Sequence, residues 1–233
     1  MSKANFHMRG YPSTGLPSGR LPSYSPKLEA ISVNSKWPLA FLRLIGAAFI
    51  VFLLAGCDAL QPSFKNTDVT GSDCCHDFRL TDHHGQVRTL ADFRGKVVVM
   101  FFGYTQCPDV CPTTMAELKA AMQQLGADAK RVQVLFVTLD PERDTRELHA
   151  NYVPAFDPSF LGLYGDLETT AKTAKEFRVY YQKQPGPTPD SYTLDHTAGS
   201  YVFDAQGRVR LFARYGDGGA NLAADLRTLL QQG

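Results

Sequence analysis

Cys107 and Cys111 are the residues whose type and spacing point most directly to chemistry. They follow an apolar run at residues 97–102 and open a helical pattern that has Pro112 in its first turn. Positions i and i+4 share one face of a helix, so a disulfide or a metal ion could join the two sulfurs. The positive end of the helix dipole lowers thiol pKa and favours the thiolate, which binds metals and attacks disulfides. The sequence therefore predicts metal chemistry, redox chemistry or both.

A structural disulfide is the other interpretation of this pair, because disulfides are common outside the cytoplasm. A bridge over so short a loop constrains the unfolded chain less than one over a long loop. A helix N-terminus also makes thiols reactive. Both arguments favour a functional pair.

The pattern after residue 76 alternates strands and helices. Buried strands at 97–102 and 132–137 flank the thiol helix, which makes a βαβ unit with parallel strands. The other predicted elements are a strand pair at 77–82 and 87–90, a short helix at 144–152, a strand at 161–164, a helix from Asp166 to about Phe177, a strand-like stretch at 178–182, a loop at 183–190, a hairpin of 200–203 and 209–213, and a terminal amphipathic helix through 222–230. This order predicts an α/β, thioredoxin-like fold with a central mixed sheet and helices on both faces.

His196 is the third residue that we expect at the thiol site. It lies just before the hairpin, in a loop that faces the dithiol in a thioredoxin-like fold, where thioredoxins carry a cis-proline. Two thiolates and one imidazole make a soft three-coordinate site that suits Cu(I) and, with an added ligand, can hold Cu(II). Cys107, Cys111 and His196 are therefore candidate ligands of copper, as Cu(I) or Cu(II), beside the redox interpretation of the two thiols.

The N-terminal part of the chain differs in charge from the rest. Residues 1–56 hold six basic residues and one acidic residue, a net charge of +5, and the remainder holds 18 basic and 22 acidic residues, a net charge of −4. The apolar run at 44–55 is typical of a signal peptide and is shorter than the about 20 residues of a membrane span. We predict a leader at 1–56, a polar tether at 57–72 and a thioredoxin-like, copper-binding domain at 73–233.

Cys57 closes the leader. The segment 53–57, LLAGC, resembles the lipobox of bacterial lipoproteins, whose cysteine is lipidated after cleavage. The alternative is an uncleaved anchor helix in which this cysteine is incidental. Both interpretations attach the domain to a membrane and place it outside the cytoplasm.

The domain resembles the Sco/SenC family of thioredoxin-like, membrane-tethered copper proteins needed for cytochrome c oxidase assembly. The resemblance covers about residues 76–232. The matching segments are FRLTD at 78–82 with Gly85, GKVVVMFFGYT at 95–105, CPDVCP at 107–112, VTLDPERDT at 137–145 and DH at 195–196. The resemblance implies that Cys107, Cys111 and His196 are copper ligands.

The resemblance also implies a membrane-tethered chaperone that delivers copper to the binuclear copper site of cytochrome c oxidase subunit II, or to another copper protein. We expect it at a bacterial inner membrane, with the domain facing the periplasm and no nucleic-acid partner. The enzymatic alternative is a thiol–disulfide oxidoreductase that reduces the copper-ligand cysteines of that site, with Cys107 or Cys111 attacking through a mixed disulfide. A peroxiredoxin-like peroxidase ranks last, because no proline precedes Cys107 nearby.

Several other residues could serve the site, and each has a simpler interpretation. We expect turn and cap roles for Asp140 and Asp144, with a role around the metal site left open. We expect His83 and His84 to be exposed, and the methionines at helical spacing, Met115 and Met122, to belong to the core.

Cys74 and Cys75 depart from the family pattern. Adjacent cysteines rarely close on themselves without strain. With His76 beside them, they could form a second weak metal site, offer a docking thiol or occur by chance, and we favour chance or an accessory use.

Overall fold

The structure, a computed structural model, describes residues 63–188 and 191–232. In this part of the chain the strands are β1 (Thr67–Asp68), β2 (Leu80–Asp82), β3 (Val87–Arg88), β4 (Val97–Gly103), β5 (Val132–Thr138), β6 (Leu161–Tyr164), β7 (Tyr181–Pro185), β8 (Tyr192–His196), β9 (Gly199–Phe203) and β10 (Val209–Arg214). The α-helices are α1 (Val110–Leu125), α2 (Arg146–Tyr152), α3 (Leu167–Glu176) and α4 (Gly219–Leu230), and 3-10 turns span Leu90–Phe93 and Gly126–Arg131.

Eight strands form one mixed sheet in the order β1-β10-β9-β4-β5-β6-β2-β3. The pairs β4–β5 and β5–β6 are parallel, and the other pairs of this sheet are antiparallel. The predicted α/β class and the parallel βαβ unit are therefore confirmed.

Strands β4 and β5 lie in the middle of the sheet. Most of their residues are β-branched or aromatic, which favours a strand buried on both faces, and all of them are buried. They pair in register from Val97 with Val132 to Gly103 with Thr138. Parallel pairing brings their carboxyl ends to one edge of the sheet, where ligand sites of open α/β sheets form. The thiol loop after β4 therefore lies beside the loop after β5.

Strands β7 and β8 form a separate two-stranded ribbon, with Tyr181 opposite His196 and Pro185 opposite Tyr192. The prediction of a loop at 183–190 is therefore wrong for residues 183–185, which belong to β7. The strand at residues 192–196 was also not predicted from the sequence. Proline argues against a central strand, but each strand of a two-stranded ribbon is an edge that tolerates it. His196 consequently ends a strand instead of lying in a free loop.

The structure contradicts the predicted exposure of one of the two adjacent histidines. His84 is exposed as predicted, but His83 is buried, and its Nδ1 accepts a hydrogen bond from the backbone N–H of Gly162 at 3.0 Å. This partner is 79 residues away along the chain, so the local turn pattern did not indicate it. Met115 and Met122 belong to the core, as expected.

The described part of the predicted tether packs on the domain. Thr67 and Asp68 pair with β10 at the edge of the sheet. The buried carboxylate of Asp225 on α4 accepts hydrogen bonds from the backbone N–H groups of Lys65 and Asn66, each at 2.8 Å, and from Asn66 Nδ2 at 2.8 Å. Residues 65–68 are therefore fixed to α4 and β10.

Asp225→Ala should release this segment. It leaves three donors without their acceptor, so we expect the free energy of unfolding to fall by about 1–3 kcal/mol. Urea denaturation measures the loss, and amide hydrogen exchange should quicken at Asn66 and Asp68. Asp128→Ala, at an exposed acid, is the control and should stay within about 0.5 kcal/mol. Unchanged exchange at Asn66 in the Asp225 variant would contradict this role.

Candidate metal centre

The thiol loop joins the end of β4 to the start of α1. The backbone N–H of Cys107 donates to the carbonyl of Tyr104 at 3.2 Å, which closes a turn. The N–H of Cys111 donates to Cys107 Sγ at 3.4 Å. Cys111 lies in the first turn of α1 and is 0% exposed, whereas Cys107 is half-buried. One sulfur therefore faces the cleft and the other lies beneath it.

Gly103 makes room for the buried sulfur. A Cβ at this position would lie 2.9 Å from Cys111 Sγ and 2.9 Å from Phe101 Cε1. Contacts this short require a shift of the neighbouring atoms, so a larger residue would move the thiol. The glycine at the end of β4 is part of the site.

His196 approaches the sulfurs from β8. Its Nε2 lies 3.5 Å from Cys111 Sγ, and its Nδ1 lies 3.1 Å from the carbonyl oxygen of Thr197. A carbonyl only accepts hydrogen bonds, so Nδ1 carries a proton and Nε2 is the nitrogen available to a metal. The rings of Phe101 and Tyr104 lie edge-on to the imidazole, with centroids 6.2 and 6.0 Å away, and limit its rotation.

Two sulfurs and one nitrogen therefore meet at one point. The ligand atoms of Cys107, Cys111 and His196 all lie within 4.8 Å of one another. In the part of the chain that the structure describes, no other group of three His, Cys, Asp or Glu side chains converges in this way. Metal–sulfur bonds of about 2.3 Å allow two sulfurs to lie at most about 4.6 Å apart, so small side-chain movements suffice to close the site on an ion. The donor set fits a soft metal.

The two thiols differ in acidity. A hydrogen bond from the Cys111 thiol lowers the pKa of Cys107 to about 3. The same hydrogen bond, together with burial, raises the pKa of Cys111. The helix N-terminus predicted a lowered pKa for both thiols. The pKa of Cys107 is lowered, mainly by hydrogen bonds from Cys111 and His196, whereas the pKa of Cys111 is raised by its hydrogen bond to Cys107 and by burial. The half-buried thiol is therefore the more acidic of the two.

Asp144 holds the start of the thiol loop through hydrogen bonds. Its buried carboxylate accepts hydrogen bonds from the backbone N–H of Thr105 at 3.0 Å and from the hydroxyl groups of Thr105 and Thr138. His149 Nε2 lies 3.6 Å from it. Burial alone would raise the pKa of Asp144, but His149 and the two threonines outweigh burial and lower it. Thr105 is two residues before Cys107, so the carboxylate anchors this loop.

The predicted cap role of Asp144 is therefore wrong. Thr145 caps α2 instead, because its hydroxyl accepts from the N–H of Leu148 at 3.2 Å. Asp140 does close a turn, as expected, through a backbone hydrogen bond from Arg143 at 3.1 Å. The sequence did hold a signal for the role of Asp144, because residues that follow adjacent parallel strands meet at one edge.

Cys74 and Cys75 line other clefts than the one at Cys107. Both are buried in the hydrophobic core, and the N–H of Cys75 donates to the carbonyl of Glu176 at 3.2 Å. Burial raises the pKa of Cys75, which favours the thiol, the form that does not bind metal. This environment supports the interpretation of these two cysteines as incidental to the metal chemistry.

The N-terminal predictions lie mostly beyond the reach of the structure. Cys57 and the leader fall outside the described residues. Within residues 63–188 and 191–232, no helix is long and apolar enough to span a membrane.

An open cleft gives access to the three converging side chains. Its walls include Tyr104, Pro108 and Asp109 from the thiol loop and residues 193–196 from β8. Cys107 and His196 line this cleft, whereas Cys111 lies beneath it. A second protein could reach two of the three ligand atoms without unfolding the domain.

Known proteins resemble this chain over the same region. The SCO1/SenC family model matches residues 66–231. "Protein SCO2 homolog, mitochondrial" from Bos taurus is 43% identical over 141 residues, which is 60% of this chain and 52% of that protein. The human protein of that name is 42% identical over 141 residues, again 60% and 52%. This chain matches about half the length of these curated relatives.

Among solved structures, that of Bradyrhizobium japonicum ScoI with copper bound is 42% identical to this chain. It has a TM-score of 0.61, and the match covers 66% of this chain and 98% of that one. The predicted thioredoxin-like fold is confirmed by this likeness.

The predicted location is wrong. The bovine and human relatives are mitochondrial by name, and this contradicts a bacterial inner-membrane protein whose domain faces the periplasm. A basic leader with almost no acidic residues is common to secretory signal peptides and mitochondrial transit peptides, so the charge pattern of residues 1–56 did not separate them.

The family model spans the strands, the thiol loop and the ribbon that together build the site. The chain belongs to the SCO1/SenC family.

Proposed function

We propose that this protein is a copper chaperone that holds copper at Cys107, Cys111 and His196 and delivers it to the binuclear copper site of cytochrome c oxidase subunit II. The observation that carries the proposal is the convergence of two sulfurs and one imidazole nitrogen at an open cleft. Thiolates favour Cu(I), and the imidazole gives the site some affinity for Cu(II). The copper-bound ScoI structure, at 42% identity, supports the choice of metal.

The difference in burial between the two sulfurs suggests an order of events. The half-buried thiolate of Cys107 meets the arriving ion first. Cys111 then releases its proton and binds, because only the thiolate is a metal ligand. During delivery, ligands of the client replace His196 and Cys107 from the cleft side. Cys111 is buried and releases the copper ion last. This order keeps copper bound to a protein at every stage.

A specific observation also favours the second candidate function, reduction of the client's copper-ligand cysteines. The low pKa of Cys107 makes it a thiolate that can attack a client disulfide and form a mixed disulfide. Cys111, once deprotonated, attacks Cys107 Sγ, releases the client as a dithiol and leaves a Cys107–Cys111 disulfide. Two electrons pass from this protein to the client, which is then able to bind copper.

Attachment to a membrane is the third part of the proposal. The basic leader, the apolar run at 44–55 and Cys57 support it. A lipid on Cys57 and a helical anchor are the two ways in which this segment could hold the domain.

Copper titration of the purified full-length chain tests the main function. Cys74 and Cys75 are replaced by serine in the parent and in every variant, so that other thiols do not contribute. The parent should bind one copper ion. Removal of an outer partner of a metal ligand costs about 10–100-fold in affinity, so loss of a ligand itself, in Cys107→Ser or Cys111→Ser, should cost about 100-fold or more for Cu(I).

The imidazole should matter mainly for the other oxidation state. His196→Ala should weaken Cu(II) more than Cu(I), which two thiolates still hold. His84→Ala, at an exposed histidine outside the cleft, is the matched control and should bind like the parent. If stoichiometry and Cu(II) absorption are unchanged in all three ligand variants, the copper site is elsewhere and the proposal fails.

Alkylation tests the proposed thiolate. Because the pKa of Cys107 is about 3, this residue is ionised throughout the accessible range, and its rate with iodoacetamide should be nearly constant from about pH 5 to about pH 8. Cys111→Ala removes the hydrogen bond that lowers this pKa, so the rate at Cys107 should then rise with pH. Peptide mass mapping assigns the label. A parent rate that rises about tenfold per pH unit over this range would refute the thiolate.

Fatty-acid labelling of cells that express the full chain distinguishes the two anchors. We expect label in the parent and none in Cys57→Ser, together with loss of the variant from the membrane fraction. An unlabelled parent that still fractionates with membranes would replace the lipid by a helical anchor. A parent found only in the soluble fraction would refute attachment altogether.

A further inference from the structure

The ribbon that carries His196 depends on contacts outside itself. Strands β7 and β8 pair with each other and with no other strand in residues 63–188 and 191–232. An isolated two-stranded hairpin is marginally stable at best in water. The position of His196 at the end of β8 therefore depends on the short link to β9 and on the contacts that hold the ribbon against the rest of the domain.

Two hydrogen bonds attach the backbone of β8 to the domain. Arg143 Nη1 donates to the carbonyl of Tyr192 at 2.9 Å, and the N–H of Leu194 donates to the hydroxyl oxygen of Tyr104 at 3.1 Å. Tyr192 and Leu194 alternate along the strand, and His196 is the next residue in this alternation. Both bonds reach from loops that follow the central strands β4 and β5, so they tie the imidazole to the same frame that holds the thiols.

Arg143 adds two further contacts to its hydrogen bond with the ribbon. Its Nε forms an ion pair with Asp140, whose side chain is 1% exposed. Its guanidinium carbon lies 3.5 Å from the centre of the Tyr192 ring, within the range of a cation–π contact. The Tyr192 hydroxyl donates to the other carboxylate oxygen of Asp140 at 2.7 Å. Asp140, Arg143 and Tyr192 thus form a closed set of contacts, which we call the ribbon clamp.

A neighbouring ion pair is less important. Lys183 and Glu142 also join the ribbon to the loop after β5, but their side chains are 51% and 46% exposed. Exposed pairs contribute little and are screened by salt. The charged pair of the ribbon clamp is much less accessible, since Arg143 is 20% exposed and Asp140 almost fully buried. The ribbon clamp is the stronger constraint.

We propose that Arg143, with Asp140 and Tyr192, is a positioning residue that sets the distance of His196 Nε2 from the two sulfurs and thereby the preference of the site for Cu(II) over Cu(I). This inference rests on the proposed copper site. Cys107 and Cys111 lie on the thiol loop and α1, which continue directly from the central strand β4, and Asp144 anchors this loop through Thr105. A loosened ribbon therefore removes the nitrogen ligand and leaves both sulfur ligands in place.

The test is a double-mutant cycle between Arg143→Gln and His196→Ala in the full-length chain, with Cu(I) and Cu(II) titrated separately. Arg143→Gln should weaken Cu(II) by about tenfold, as expected for loss of a group that orients a ligand, and should reduce the sulfur-to-Cu(II) absorption. Its Cu(I) affinity should stay within about twofold of the parent. With His196 already replaced, Arg143→Gln should have no further effect on Cu(II), because Arg143 acts on the metal only through the imidazole and the two positions are then coupled.

Three further variants guard against a purely structural explanation. Arg146→Gln is the matched control, since this arginine donates to the carbonyls of His83 and His84 and holds a different loop. It should bind both ions like the parent. If Arg143→Gln does not fold, Tyr192→Phe and Arg143→Lys replace it in the cycle, because each keeps part of the clamp and should give a smaller loss of the same kind.

The outcomes separate the clamp from the copper site. Two results would refute the role of the ribbon clamp and leave the copper site intact. One is an equal loss of Cu(I) and Cu(II) affinity in the Arg143 variants, and the other is a loss of Cu(II) affinity from Arg143→Gln that persists in the His196→Ala background. The same holds if Cu(II) binding depends on His196 but not on Arg143. A parent that binds no copper would overturn the proposed function, and the ribbon clamp would fail with it.

Discussion

The parallel pairing of β4 with β5 is the constraint on which the site depends. The register runs to Gly103 opposite Thr138, and the N–H of Leu139 then donates to the Gly103 carbonyl at 2.8 Å. Both strands therefore end at the same level, and the chain leaves them as two loops side by side. One loop carries the thiols, and the other carries the carboxylates that hold the thiol loop and the ribbon.

These two carboxylates divide the work of positioning. Asp144 accepts hydrogen bonds from Thr105 and so fixes the loop that presents Cys107. Asp140, through its ion pair, fixes the ribbon that presents the imidazole. Neither lies among the three converging ligand side chains. Both carboxylates are buried, and each accepts hydrogen bonds from at least two side chains, which offset the cost of burying a charge.

The site could be predicted from the sequence where its signals are local. The two thiols and the strands and helix of the βαβ unit lie within residues 97–137, and their patterns predicted this unit and a reactive dithiol. His196 was predicted from its place before the hairpin, and the structure brings it to the sulfurs. What these three residues bind remains part of the proposed function.

The rest depends on contacts between distant parts of the chain. Asp144 reaches Thr105 across 39 residues, and Asp225 reaches Asn66 across 159. A local pattern assigned Asp144 to a helix cap and Asn66 to a tether, because both residue types are also common in caps and loops. The pKa difference between the two thiols was missed for a similar reason, since burial of Cys111 is decided by the packing around Gly103.

X-ray absorption at the copper edge tests the central claim most directly. The claim is that one Cu(I) ion binds between the two sulfurs and the imidazole nitrogen. Spectra of the full-length chain loaded with one equivalent of Cu(I) should show two sulfur neighbours and one nitrogen neighbour, and the nitrogen should disappear in His196→Ala. A sulfur count that stays at two when Cys107 and Cys111 are both replaced would place the copper on other cysteines and contradict the account.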